Sequence, residues 1–211
     1  MMRMKHWVKY NCDPDKVYSF RRALVYDIAR MKTKDEYLLE LTRNLPGNLG
    51  KWIRYRLIKK LAYSVGNNVV IWSGSRFRFI YNISFGNNVA ISYDCIFQAA
   101  SGIEVGDNTL IGPGVKIWTM NHIFKDIKQT INMQGYEGKP VIIGKDCWIG
   151  SNCFIKPGTT LPNGCVLFPD TVVNRMNIPE YSVLSGNPGK VIGSRDRIGI
   201  TTGWGAILRK T

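Results

Sequence analysis

Only two histidines occur in the 211-residue sequence, His6 and His122, and the second stands where a regular pattern stops. An imidazole with an ordinary pKa of about 6.5 is neutral near neutrality and can take the proton of a hydroxyl while that hydroxyl attacks a carbonyl carbon. His122 is therefore the candidate catalytic base, against the blander alternative of a solvated histidine at a loop mouth. Glu104, one nominal coil earlier, and Asp94, at a corner of the coil before that, are the carboxylates that could hold its ring or an acceptor. No metal is expected, because a three-histidine zinc site needs more histidines than the chain has. The five cysteines show no C-x-x-C spacing, so neither a zinc ribbon nor a redox pair is indicated.

The elements that must position His122 are legible as a repeat. Val65, Phe85 and Val105 are each followed by Gly-Asn-Asn or Gly-Asp-Asn at a constant interval, and within each block an apolar residue returns every six positions. Each block is thus three hexapeptides plus two extra residues. After an interruption the spacing is a strict six at Ile143, Ile149, Ile155, Leu161, Leu167 and Val173. Three residues after most anchors stands Asn, Asp or Gly, the types that tolerate a left-handed corner. Four residues after them stands a mostly small residue, with Tyr81 the misfit. Three short strands and three corners close a triangular coil, and about five stacked coils bury the anchors as ladders. The fold class expected is mainly β, a parallel β-helix. Cys95, Cys147, Cys153 and Cys165 fall on the small inward position, where Cys acts as a small hydrophobe.

The ladder pauses after Ile117 and resumes at Val141 and Ile143, so the step from Val105 to the next coil start is nearly twice the regular one. Residues 119–140 are thus an inserted loop, and long excursions from a compact fold are commonly functional. His122 sits at its entrance.

The stretches VGDNTLIGPGVKIWTMNH (Val105–His122), IGKDCWIGSNCFIKPG (Ile143–Gly158) and NIPEYSVLSGNPGKVI (Asn177–Ile192) resemble the hexapeptide-repeat acyltransferases, in the branch of maltose and galactoside acetyltransferases and colanic-acid-type polysaccharide O-acetyltransferases. The resemblance implies a left-handed β-helix, a homotrimer, acetyl-CoA as cofactor and a carbohydrate acceptor, with His122 as general base. Carried over by position, the coenzyme contacts fall on Ser151, Pro169, Asn174, Arg175 and Lys190, with Trp148 flanking the groove; Tyr93 and Asp94 are acceptor-side candidates. Pro169, Asn174 and Gly193 depart from the family's usual small residue, Thr and basic residue. The implied activity is O-acetylation of a sugar in surface polysaccharide biosynthesis. N-acetylation of an amino sugar and a non-catalytic assembly role are the alternatives.

Residues 1–62 lack the repeat and read as a basic helical cap. They contain 15 Lys/Arg against 6 Asp/Glu, whereas residues 63–211 contain 14 against 9, within a total of +14. Asp13-Pro14 reads as one helix start, Thr33–Glu36 as a capping box, and Asn44–Gly50 as a breaker. In the helix that follows, Ile53, Leu57 and Leu61 share one face, and Lys51, Arg56, Lys59 and Lys60 gather opposite, with Arg54 near the boundary. Such a helix covers the open end of the β-helix or lies against an anionic membrane. Nucleic acid is not expected as a partner, since no base-reading module accompanies the charge. Residues 63–193 form the β-helix domain and 194–211 a C-terminal tail. With no signal-like or membrane-spanning run, a cytoplasmic protein is expected.

Overall fold

The computed structural model describes residues 34–196. His6, Cys12, the Asp13-Pro14 helix start, Thr33 of the capping box and the tail beyond Asp196 lie outside the described residues.

Three parallel sheets form the faces of a prism. The first face stacks Ser64–Val65, Ile83–Phe85, Ile103–Val105, Val141–Ile143 and Thr160–Leu161; the third stacks Arg76–Arg78, Ile96–Gln98, Lys116–Trp118, Phe154–Ile155 and Val172–Val173. The second runs from Val70–Ile71 through Ala90–Ile91, Leu110–Ile111, Trp148–Ile149 and Val166–Leu167 to Ser182–Ser185. Anchors sit directly above one another: Val65, Phe85, Val105, Ile143, Leu161 on one face and Phe77, Phe97, Ile117, Ile155, Val173 on another. All are buried except the half-buried Val65 of the first coil. Each filled position of this kind contributes about 1.5–3 kcal/mol of burial.

The corners explain the rest of the repeat. Asn68, Asn88, Asp94, Asn108, Asp146, Asn152 and Asp170 take φ between 55° and 61°, and Gly74, Gly114, Gly158 and Gly164 between 69° and 84°. The polar side chains of the left-handed residues themselves form ladders along the stack: Asn68 Nδ2 donates to Asn88 Oδ1 at 3.1 Å and Asn88 Nδ2 to Asn108 Oδ1 at 2.9 Å. The inward small residues are donors as well as fillers. Cys95 Sγ reaches the Gly112 carbonyl at 3.2 Å, Thr109 Oγ1 the Gly144 carbonyl at 3.0 Å, and Cys153 Sγ the Phe168 carbonyl at 3.1 Å. Burial pushes the Cys95, Cys147 and Cys153 thiols up to about 11.

The coil count needs correction. The second face holds a sixth parallel rung, Ser182–Ser185, where about five coils were expected. The chain loops out after Val173, so Leu184 follows its partner Leu167 by one residue short of three full hexapeptides and falls out of the period. Lys190–Ser194 then closes that edge as an antiparallel strand. Tyr81, the misfit, lies in a short 3-10 turn, Ile80–Asn82, led by Phe79 at φ 58°; this turn takes up the two extra residues of its block.

At the other end, helix α1 (Lys34–Leu41) packs on helix α2 (Gly47–Leu61), which packs on the first coil. Helix α2 starts within the expected breaker, with Pro46 as its N-cap. Its buried face is Gly50, Arg54 and Ile58, with Leu57 and Leu61 flanking, so Arg54 is at the centre and not at the boundary. Arg54 is 1% exposed. Its Nε donates to the Ile71 carbonyl at 3.0 Å, and its Nη1 lies at 3.3, 3.3 and 2.8 Å from the carbonyls of Thr42, Arg43 and Leu45. The guanidinium thereby joins the chain just past α1 to the first rung. Lys51 also faces the β-helix, 4.8 Å from the Trp72 ring centroid.

The glycine after each of the first four first-face anchors, Val65, Phe85, Val105 and Ile143, is required by close approach. A Cβ on Gly106 would sit 2.6 Å from the Gly144 carbonyl carbon of the next coil, and that contact is backbone against backbone. Gly106→Ala is expected to destabilise the fold by about 1–3 kcal/mol. Gly193→Ala, where an added methyl meets nothing within 4 Å, should leave the urea midpoint in place.

Candidate active site

The inserted loop is not irregular throughout. Met120–His122 pairs antiparallel with Tyr136–Gly138, placing His122 opposite Tyr136, and helix α3 (Ile131–Gln134) fills part of the excursion. The ribbon is anchored at its base by Thr119, which is fully buried. The Thr119 hydroxyl donates to the Gln98 carbonyl at 2.8 Å and accepts the Ser101 N–H at 3.0 Å. The tip is tied by Gln134, whose Oε1 accepts the Asp126 N–H at 3.0 Å and whose Nε2 donates to the Asp126 carbonyl at 2.8 Å. Burial alone would not hold this segment, since Phe124, Ile127, Ile131 and Met133 are all exposed.

His122 is exposed, and its ring lies 4.2 Å from that of Tyr136, tilted by 40°. It lines a cavity of about 170 Å³ together with Arg78, Gln98, Trp118, Met120, Asn121 and Tyr136. Neither Glu104 nor Asp94 hydrogen-bonds the imidazole among the described residues. Glu104 points outward on the first face between Ser84 and Ile142, and Asp94 is the left-handed corner between the second and third faces.

The other candidates divide between two borders of the third face. Tyr93 and Asp94 lie at its junction with the second face, as do Ser151 and Pro169, where the Asp170 N–H donates to the Ser151 carbonyl at 2.8 Å. Trp148 stands on the adjoining second face between Leu110 and Val166. Lys190 opens the closing strand opposite Ser185, near the same border. Asn174 and Arg175 leave the far end of the third face, on the side of the inserted ribbon: a Cβ on Gly158 would meet both Lys139 and Arg175. Within one chain, His122 therefore shares a border with Asn174 and Arg175, and the third face separates it from Tyr93, Asp94, Ser151, Pro169 and Lys190.

Sequence reasoning missed Arg78, Gln98 and Trp118, although the signal was present. Each follows a third-face anchor (Phe77, Phe97, Ile117) by one residue, and the same period that aligns the anchors stacks these three in register. Tyr136 had no such signal, because antiparallel pairing across the excursion sets its place. Among the described residues no cluster of three His, Cys, Asp or Glu side chains is placed to hold a metal ion.

Short strands stacked on a six-residue repeat, left-handed corners and one interrupted coil with a histidine at the break define a hexapeptide-repeat β-helix. A family model described as the hexapeptide repeat of succinyl-transferase matches residues 140–168. A putative acetyltransferase of Dictyostelium discoideum is 30% identical, over 81% of this chain and 90% of that protein. The structure of a maltose O-acetyltransferase from Clostridium difficile 630 superposes with a TM-score of 0.70 at 34% identity, covering 76% of this chain and 83% of that one. A galactoside acetyltransferase in complex with coenzyme A gives a TM-score of 0.70 at 26% identity, covering 79% and 84%. The chain spans 34% and 60% of the length of two further curated relatives. The chain belongs to the hexapeptide-repeat acetyltransferase family.

Proposed function

We propose that this protein transfers the acetyl group of acetyl-CoA to a sugar hydroxyl in the building of a surface polysaccharide, with His122 as general base. The observation that carries the reading is the imidazole at the break in the coil, lining a cavity with two aromatic rings and a buried amide. The coenzyme bound in one solved relative and the sugar names of both support it.

In the step proposed, the acceptor oxygen bonds to the thioester carbonyl carbon while its proton passes to an imidazole nitrogen of His122. The tetrahedral intermediate collapses by breaking the carbon–sulfur bond, and the imidazolium returns the proton to the departing thiolate, which leaves as CoA. The ring contact with Tyr136 orients the imidazole. Arg175, Asn174, Lys190, Ser151, Pro169 and Trp148 are proposed to hold the coenzyme. Because they lie on two borders of the third face, a groove shared by neighbouring copies would gather them, which favours a homotrimer. The outer second face, where Leu110 is 51% exposed beside Trp148 and Val166, is an apolar surface suited to that contact. Light scattering at three times the 23.9 kDa chain mass is the expected result, and a monomer would remove the shared groove.

Among the described residues no helix is long and apolar enough to cross a membrane. The proposed location is cytoplasmic, consistent with four buried free thiols, with peripheral contact at the inner membrane face. Leu49, Trp52, Arg56, Lys59 and Lys60 are all exposed on α2, an apolar and cationic mixture in which each basic residue near anionic lipid adds ~1 kcal/mol. Flotation with phosphatidylserine vesicles should weaken in the R56Q/K59Q/K60Q variant; unchanged binding discards the membrane contact.

His122→Ala is expected to lower acetyl transfer by ~10²- to 10⁴-fold, read as thiol release from acetyl-CoA, with the thermal midpoint unchanged. Wild-type turnover in that variant refutes the assignment. Hydroxylamine treatment of the product separates an ester, which it cleaves, from the amide that N-acetylation would give.

A further inference from the structure

Outside the roles assigned above, Gln98 is the one side chain of the cavity wall that is both polar and buried; Arg78, Asn121 and His122 are exposed. Strand alternation sends Phe97 into the core and Gln98 outward, yet Gln98 is only 3% exposed. The carbonyl end of its amide is occupied. Thr119 Oγ1 lies 2.8 Å from the Gln98 backbone carbonyl and 3.3 Å from Gln98 Oε1, so one hydroxyl proton serves both oxygens. Among the described residues nothing accepts from the side-chain N–H groups, and they are not sealed off but open on the cavity.

A buried amide with idle donors is uncommon in a native fold, because its N–H groups lose water without gaining a partner. The stack itself does not call for an amide here, since the rungs on either side carry Arg78 and Trp118 at the same position. The idle donors therefore point to a molecule in the cavity. Their place along the stack decides which substrate they meet. Gln98 is one rung below Trp118, whereas Asn174 and Arg175 follow Val173, two rungs above it. At about 4.8 Å per rung, Gln98 stands ~14 Å from the level of those coenzyme candidates. Ser151 and Pro169 also belong to coils beyond Trp118. A coenzyme held at that end enters the cavity from above, and the far end, walled by Gln98, is left to the acceptor.

We propose that Gln98 recognises the acceptor: its side-chain N–H groups donate to a second hydroxyl oxygen of the sugar while His122 takes the proton of the first. The site then requires a polyol with two hydroxyls in fixed relation and rejects a sugar that lacks the second. The inference rests on the acetyl-transfer reading for the reaction that follows binding. Gln98 ends the rung Ile96–Gln98, paired on both sides through Arg78↔Gln98 and Gln98↔Trp118, so its backbone is fixed by the β-helix. It is a specificity residue, and the base remains His122.

Titration calorimetry of the full chain saturated with CoA tests the proposal, with methyl β-galactoside and its four monodeoxy analogues as probes in the wild type, Gln98→Met and Gln98→Asn. In the wild type one analogue is expected to bind ~10-fold or more weakly than the parent sugar, because it leaves the buried N–H groups unpaired. That analogue names the hydroxyl Gln98 holds. Gln98→Met, of similar length but without donors, should weaken the parent by a similar factor and leave that analogue unchanged, so that the two losses do not add. Gln98→Asn withdraws the amide by one methylene and should fall between. Equal affinity for all five sugars, binding of none, or losses that add in full overturns the proposal. Should Gln98→Met fail to fold, the wild-type series and Gln98→Asn still decide it. Thiol release with the same sugars and acetyl-CoA keeps the two readings apart. The variants should raise the KM of the sugar and leave that of acetyl-CoA in place; a change confined to acetyl-CoA assigns Gln98 to the thioester and overturns the acceptor role. Selective binding without release retains Gln98 as the recognition residue and fails acetyl transfer, whereas release indifferent to Gln98 retains acetyl transfer and fails the proposal.

Discussion

Every coil of this protein must return the chain to a position directly above its start, so that the backbone groups of one rung bond those of the next. That constraint is met at the corners. A residue in the left-handed region turns the strand without extra length, and Asn, Asp and Gly accept that conformation at small cost. Once the return is accurate, three further features follow together: the apolar anchors superpose, the polar corner side chains form ladders, and the inward Cys, Thr and Ser side chains find carbonyls in the neighbouring coil. The spacing between coils then leaves no room for a Cβ after the first four first-face anchors, as Gly66, Gly106 and Gly144 illustrate.

The site exploits one departure from that regularity. Val141–Ile143 resumes the stack directly upon Ile103–Val105, so the excursion is extruded without disturbing the ladders on either side. Thr119 secures the exit, and the antiparallel ribbon carries His122 outward beside Arg78, Gln98 and Trp118. Rigid rungs thus hold three walls of the cavity, and a ribbon of two short strands holds the imidazole. Functional groups placed on regular elements keep their geometry better than groups on a free loop, and here Met120, Asn121, the imidazole and Tyr136 depend on the insertion.

The end of the stack near α1 and α2 meets a different problem. Among the described residues the first rung has no coil beneath it, and the chain leaving α1 also presents carbonyls that need donors. Arg54 addresses both with one planar donor group, which is a use of arginine that lysine's single ammonium would not reproduce. Desolvation lowers its pKa, yet arginine's intrinsic basicity leaves the group charged. Gly50, whose missing side chain leaves space against Leu45 and the guanidinium, makes the approach feasible.

The periodic part of the structure was legible in the sequence because each requirement there is local. Anchors at six-residue intervals, left-handed residues three positions on, and small residues four positions on are properties of single hexapeptides, and the stacked coils repeat them. The interruption and the lone histidine at its mouth were legible for the same reason, as a break in a regular series. The sixth rung, the buried face of α2 centred on Arg54, and the antiparallel ribbon were not, because each depends on contacts between segments that share no period. The same holds for the site. Arg78, Gln98 and Trp118 follow the repeat, but only the folded chain shows that Tyr136 crosses the insertion to meet His122, and that the coenzyme candidates divide between two borders of one face. Side chains distant in sequence meet according to where loops return, and return geometry is a property of the packed molecule.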